Sequence, residues 1–129
     1  MERVTDGFVL RLLRKWLRAG IMHNGTTEYS QEGTPQSGSI PPLLANIYLN
    51  SIDHTWEAEK MNTPKYNAQM VRYADELVIL TDRDPNIAMN KIEEMIHSVK
   101  LSLNTDKSGI TNAKNGFDFL GIQFHQKVL

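Results

Sequence analysis

Cysteine is absent from the 129-residue sequence, which excludes both a disulfide framework and a thiolate metal site. Also absent is any apolar run approaching the length of a membrane span, and the charged N-terminus lacks the apolar stretch of a signal peptide. A cytoplasmic chain with no membrane partner is therefore expected. Charge of one sign is not in excess either: 14 Lys and Arg stand against 15 Asp and Glu, for a net charge of −1. Phosphate neutralisation supplies much of the affinity of nucleic-acid binders, which usually carry a basic balance. Any such grip must here be local or depend on parts outside this sequence. No internal repeat, low-complexity tract or linker interrupts the chain, and its length suits one domain with a real core. The histidines His23, His54, His97 and His125 show no pairing at metal-ligand spacing.

What the sequence does contain is well-marked periodicity. Val9, Leu12, Leu13, Trp16 and Leu17 recur at helical spacing, so residues 4–18 are expected to form an amphipathic helix ending near Gly20. Arg3, Arg11, Arg14, Lys15 and Arg18 cluster in this region, either as a solvated cationic face or as a nucleic-acid contact. Strand and loop follow from Ile21 to Gln36. Leu43, Leu44, Ile47, Tyr48 and Ile52 mark a second helix behind Pro41 and Pro42, running to about Lys60 with Thr63-Pro64 as its stop. Strands are expected over 66–73 and 76–82. The run Leu77-Val78-Ile79-Leu80 is apolar throughout, as in a strand covered on both faces. Asp84-Pro85 supplies an N-cap and a first-turn proline for a third helix carrying Ala88, Ile92, Met95, Ile96 and Val99. Two last strands are expected over 107–112 and 117–124, around the turn-forming Lys114-Asn115-Gly116. The fold class is α+β, an antiparallel sheet packed by helices. Trp16, Trp56, Tyr48, Phe117 and Phe119 read as core aromatics.

The segment Val71-Arg72-Tyr73-Ala74-Asp75-Glu76-Leu77-Val78-Ile79-Leu80 is the most informative. Two apolar runs flank an acidic centre, the pattern of a hairpin presenting two adjacent carboxylates, Asp75 and Glu76. Carboxylates on a stiff turn suit magnesium (Mg2+), a hard cation that keeps positions open for substrate phosphates. The plainer alternative is a solvated hairpin tip. Arg72 could serve a basic role of its own or balance the two acids.

Together with Gly33-Thr34-Pro35-Gln36-Ser37-Gly38-Ser39-Ile40-Pro41-Pro42-Leu43-Leu44-Ala45-Asn46-Ile47-Tyr48-Leu49, the hairpin resembles the palm of reverse transcriptases, most closely the bacterial group II intron reverse transcriptase/maturases. Leu13 to Met22, Leu103-Asn104-Thr105-Asp106-Lys107-Ser108 and Phe117-Asp118-Phe119-Leu120-Gly121 fit the same family in the same order, so residues 1–129 resemble a partial reverse transcriptase domain. The resemblance implies a polymerase palm-like sheet with a catalytic-type β-hairpin and metal-dependent nucleotidyl transfer onto a primer 3′ end. It implies Asp75 and Glu76 as catalytic metal ligands and Lys107 as a catalytic group near the triphosphate, although Lys107 could equally be an exposed lysine at a strand end. Gly33, Pro35, Gln36, Ser37 and Gly38 would contact nucleic acid, as would Phe119, Leu120 and Gly121 at the primer terminus. The implied partners are an RNA template, a DNA primer, deoxynucleoside triphosphates and group II intron RNA.

The sequence departs from the family at three positions. Glu76 stands for the second aspartate of the Tyr-Ala-Asp-Asp motif, Ser37 for a glycine and Pro41 for a serine. A further catalytic aspartate, the fingers and the thumb are expected to lie outside this sequence, and the chain alone is not expected to polymerise. A non-catalytic RNA-binding module of the maturase type and a decayed remnant are the alternatives. Another palm enzyme, such as a nucleotide cyclase, is disfavoured by the Pro-Gln loop and the Phe-Leu-Gly motif.

Overall fold

A computed structural model describes residues 5–18, 21–23, 26–28 and 40–125. The chain divides into two compact units, Met1–Leu43 and Leu44–Leu129. The Gly33–Gly38 loop singled out above lies outside the described residues.

In the first unit, helix α1 spans Gly7–Leu17. The Asp6 carboxylate accepts from the amides of Phe8 and Val9 at 2.9 and 3.0 Å, satisfying two donors that the first turn leaves unpaired. Arg14 and Lys15 occupy the last turn, where the helix dipole favours positive charge. The helix is amphipathic as its periodicity requires, yet none of its residues is buried, and Trp16 is only half-buried. Strands β1 (Ile21–His23) and β2 (Thr26–Glu28) pair antiparallel, with Met22 opposite Thr27.

Helix α2 covers Ile40–Ala58 and takes Pro41 and Pro42 into its first turn, where absent amides cost least. It buries Ile52 and Trp56 and packs the half-buried Leu49 against them, whereas Leu43, Ile47 and Tyr48 are exposed. Of the residues whose periodicity marks this helix, Ile52 is in the core and Leu44 is half-buried, while Leu43, Ile47 and Tyr48 face outward. Tyr48 lies at the surface and donates its hydroxyl to the carbonyl of Val99. The helix ends before Thr63-Pro64 can stop it. Lys60 adopts a left-handed φ of 55°, its amide bonds the Glu57 carbonyl, and the Met61 amide reaches back to Trp56. That is a Schellman ending, completed by burial of Met61.

Strands β3 (Ala68–Tyr73) and β4 (Glu76–Thr81) form the central antiparallel hairpin, with Met70 opposite Ile79 and Arg72 opposite Leu77. The side-chain period of two sends Ala68, Met70, Leu77 and Ile79 onto the helices. Contrary to the reading of Leu77–Leu80 as covered on both sides, the opposite face is open among the described residues. Val71 is 50%, Tyr73 65% and Leu80 47% exposed.

Helix α3 (Pro85–Ser98) is capped by Asp84 and buries Ala88, Ile92, Met95 and Ile96, an i, i+4, i+7, i+8 stripe. It closes as α2 does: Lys100 has φ 60°, and the amides of Lys100 and Leu101 bond His97 and Ile96. Lys91 bridges the two helices, with its ammonium 3.3 Å from Glu59 and 3.2 Å from Glu94.

The expected strand over 107–112 does not form. The Asn104 side chain accepts from the Asp106 amide, and its carbonyl accepts from Lys107 and Ser108. This makes a turn over 105–107 and takes up the first residue of that stretch, while 108–112 pairs with no strand among the described residues. A 3₁₀ turn at Ala113–Asn115 leads into β5 (Phe117–Phe119) and β6 (Ile122–Phe124), a third two-stranded antiparallel pair. The single strand expected over 117–124 is thus a hairpin. Its loop residues Leu120 and Gly121 both have positive φ, 53° and 73°, the type I′ signature that suits strand twist. Phe117 and Phe124 stack across the pair with centroids 5.4 Å apart. Phe117 and Phe119 are half-buried and stand outside the main core cluster, contrary to the core reading. The described residues therefore form an α+β fold with three separate two-stranded sheets.

Candidate functional site at the β3–β4 turn

Tyr73 pairs with Glu76, which leaves Ala74 and Asp75 as a two-residue loop. Ala74 carries the left-handed dihedral, φ 53°, at the first loop position. Asp75 therefore sits in the turn, while Glu76 is the first residue of β4 opposite Tyr73. Both carboxylates are exposed, and neither enters a hydrogen bond or ion pair among the described residues.

Arg72 does not balance these acids. Its inward register aims it at α2, where it makes a forked pair with Asp53: Nε to Oδ1 at 2.9 Å and Nη2 to Oδ2 at 2.6 Å. Such a planar fork is the strong geometry for a guanidinium and carboxylate. Nη1 donates to the Ala74 carbonyl at 2.7 Å and to Asn46 Oδ1 at 3.1 Å. The bond to Asp53 raises the Arg72 pKa further, so the guanidinium stays charged throughout the ordinary pH range. One side chain thus ties a helix, a strand and the loop carbonyl just before Asp75.

This donor set fits a hard divalent cation in part. Asp75 and Glu76 offer uncommitted oxygens on adjacent residues of a stiff hairpin, and among the described residues no cationic side chain pairs with them. Among the described residues no group of three or more His, Asp or Glu side chains comes together, so these two carboxylates form an incomplete shell.

A family model described as reverse transcriptase (RNA-dependent DNA polymerase) matches residues 3–124. The chain belongs to the reverse transcriptase family. Among curated relatives, Protein YkfC of Escherichia coli is 30% identical over 157 residues, which takes in 98% of this chain and 41% of that protein. The putative COX1/OXI3 intron 2 protein of Saccharomyces cerevisiae is 26% identical over 174 residues, 93% of this chain and 20% of that protein. The group II intron-encoded protein LtrA of Lactococcus lactis is 41% identical over 51 residues, 40% of this chain and 8% of that protein. Within the family, the chain is of the group II intron reverse transcriptase/maturase kind. It spans less than half the length of each of these relatives.

The other candidate residues of this reverse transcriptase chain are distributed as follows. Lys107 is exposed in the turn after Asn104, and no hydrogen bond or ion pair joins its ammonium to Asp75 or Glu76. Phe119, Leu120 and Gly121 form the end of β5 and the tip of its hairpin. Sequence reasoning missed Asp53 and Asn46. A signal existed, because the alternation Ala68, Met70, Arg72 places a guanidinium on the core-facing side, where a charge demands a partner. Beside this pair lies a cleft of about 280 Å³ lined by Asp53, Trp56, Glu57, Asn62, Gln69, Met70 and Arg72. No helix among the described residues is long and apolar enough to cross a membrane.

Proposed function

We propose that this chain contributes the palm hairpin to RNA-directed DNA synthesis of the group II intron type, adding deoxynucleotides to a primer 3′ end on an RNA template. The observation that carries this reading is the β3–β4 turn: two free carboxylates stand at its tip while the adjacent guanidinium is committed to α2 and the loop backbone. Asp75 and Glu76 would hold magnesium, which supplies charge neutralisation at the triphosphate and activates the primer hydroxyl. The hairpin itself supplies placement, since small errors in ligand position cost large factors in rate. Glu76 keeps the charge of an aspartate on an arm one methylene longer. Lys107 would approach the triphosphate and neutralise charge there. Gly33, Pro35, Gln36, Ser37 and Gly38 would meet template and primer backbone, and Phe119, Leu120 and Gly121 would brace the primer terminus. Group II intron RNA is the proposed natural partner.

Primer extension on an RNA template with magnesium tests this reading, with the chain alone and mixed with a separately made finger segment carrying a further aspartate. Extension in the mixture, abolished by Asp75→Asn, supports it. Absence of extension from an associated mixture, with magnesium-independent retention of RNA, would favour a non-catalytic maturase-type role. Extension restored only by Glu76→Asp would assign the defect to the turn.

A further inference from the structure

The Ala74 carbonyl immediately precedes the Asp75 residue, and it is held by a side chain that is itself held. Arg72 Nη1 reaches that carbonyl at 2.7 Å, and the rest of the guanidinium is fixed by both oxygens of Asp53. Arginine has many rotamers, and a single bond to a carbonyl would leave it free to swing away. The fork to Asp53 removes that freedom, since Nε and Nη2 engaged together fix the plane of the guanidinium and the direction of Nη1. The Arg72 side chain is only 11% exposed, so water competes poorly for these bonds. Ala74 needs such help. It holds φ 53° without the freedom of glycine and without the local side-chain hydrogen bond that lets asparagine occupy this region.

We infer that Asp53 is a positioning residue for the Asp75 carboxylate, acting from α2 through Arg72 and the Ala74 carbonyl. Asn46, two turns earlier on the same face of α2, adds a second bond to the same Nη1 and supports the same orientation. The consequence for metal affinity rests on the proposed role of Asp75 as a metal ligand; the effect on the turn does not. Groups that orient a ligand from behind typically alter metal affinity by roughly 10- to 100-fold when removed. Acting through one more residue, Asp53 is expected at the lower end, roughly 10-fold.

The test uses the 129-residue chain labelled for NMR, with Mn2+ as a paramagnetic probe. Wild type, Asp53→Asn, Asp53→Glu and Asp75→Asn are titrated while broadening is followed at Asp75 and Glu76. Backbone order parameters are measured at Ala74 and Asp75, and thermal melts confirm folding. The expected result is a folded Asp53→Asn variant with lower order at Ala74 and Asp75 and a Mn2+ midpoint raised roughly 10-fold. Asp53→Glu, which restores the charge, should fall between it and wild type. It carries the same comparison if Asp53→Asn does not fold. Where Asp75→Asn removes the broadening, an unchanged Mn2+ midpoint in the Asp53 variant overturns the inference. Where Asp75→Asn leaves the broadening intact, the metal reading itself fails. Unchanged order parameters at Ala74 and Asp75 then overturn the positioning role, and lowered ones sustain it.

Discussion

Trp56 donates its indole N–H to the carbonyl of Ala68 at 3.1 Å, and the two are among the most buried of the described residues at 3% and 1% exposure. This bond fastens α2 to the first residue of β3, at the opposite end of the strand from the Arg72–Asp53 fork. The hairpin is thereby anchored to one helix at both ends. Trp56→Phe keeps much of the apolar volume and leaves the carbonyl without this donor. A loss of about 1–3 kcal/mol is expected from that unpaired group, read as a lower midpoint in urea denaturation. Ile52→Ala, which removes packing from the same helix, should cost about 2–5 kcal/mol.

Lys100 closes α3 in a left-handed conformation that an L side chain adopts only against a penalty. Lys100→Gly relieves the strain at the C′ position while loosening the unfolded chain, so a net gain of about 0.5–1 kcal/mol is expected. The thermal midpoint should rise. Lys60→Gly, at the equivalent position after α2, should do the same, and a fall for both would contradict the Schellman assignment.

Gly116 has φ 80° and ψ 161°, a region open in practice to glycine alone. A β-carbon there would come within 2.6 Å of the His125 ring and 3.1 Å of the Phe124 carbonyl. Gly116→Ala should destabilise by about 1–3 kcal/mol and perturb the Phe117–Phe124 stack. Loss of amide hydrogen-exchange protection confined to Phe117–Phe124 would report it.

Hydrogen bonds to Glu94 and Glu59 raise the Lys91 pKa above its ordinary 10.5. A group whose pKa is higher when folded stabilises the fold fully below its unfolded value and loses that effect as pH rises through the folded one. The difference in thermal midpoint between wild type and Lys91→Met should therefore be constant from pH 7 to 9 and shrink at pH 11. Added salt at pH 7 should shrink it too, because both pairs are near the surface.

The β3–β4 hairpin and α3 were readable because their signals are local. Two apolar runs around the acidic centre Asp75-Glu76 and an aspartate before a first-turn proline act over a few positions, and the strands and helix start follow them to within two residues. At Lys107 and Ser108 the local signal is different, since the Asn104 carbonyl holds both amides in a turn and leaves the start of the expected strand without a ladder partner among the described residues. On α2 the periodicity of Leu43, Leu44, Ile47, Tyr48 and Ile52 includes the buried Ile52 but also takes in Leu43, Ile47 and Tyr48, which share the spacing and are exposed. Periodicity defines a face without saying what that face meets.

The sequence by itself determined the α+β class and the placing of Asp75 and Glu76 at a tight turn, because short-range patterns encode strand, cap and loop, while its motifs in their order carried the family. Only the tertiary structure decided what Arg72 does. Its partner Asp53 lies 19 residues away on another element, and its third contact is a backbone carbonyl that no residue pattern reveals. The alternation of β3 could say that the guanidinium points inward. Which carboxylate meets it depends on how α2 crosses the sheet, and that is fixed by the packing of Ile52 and Trp56 in the core they share with Ala68.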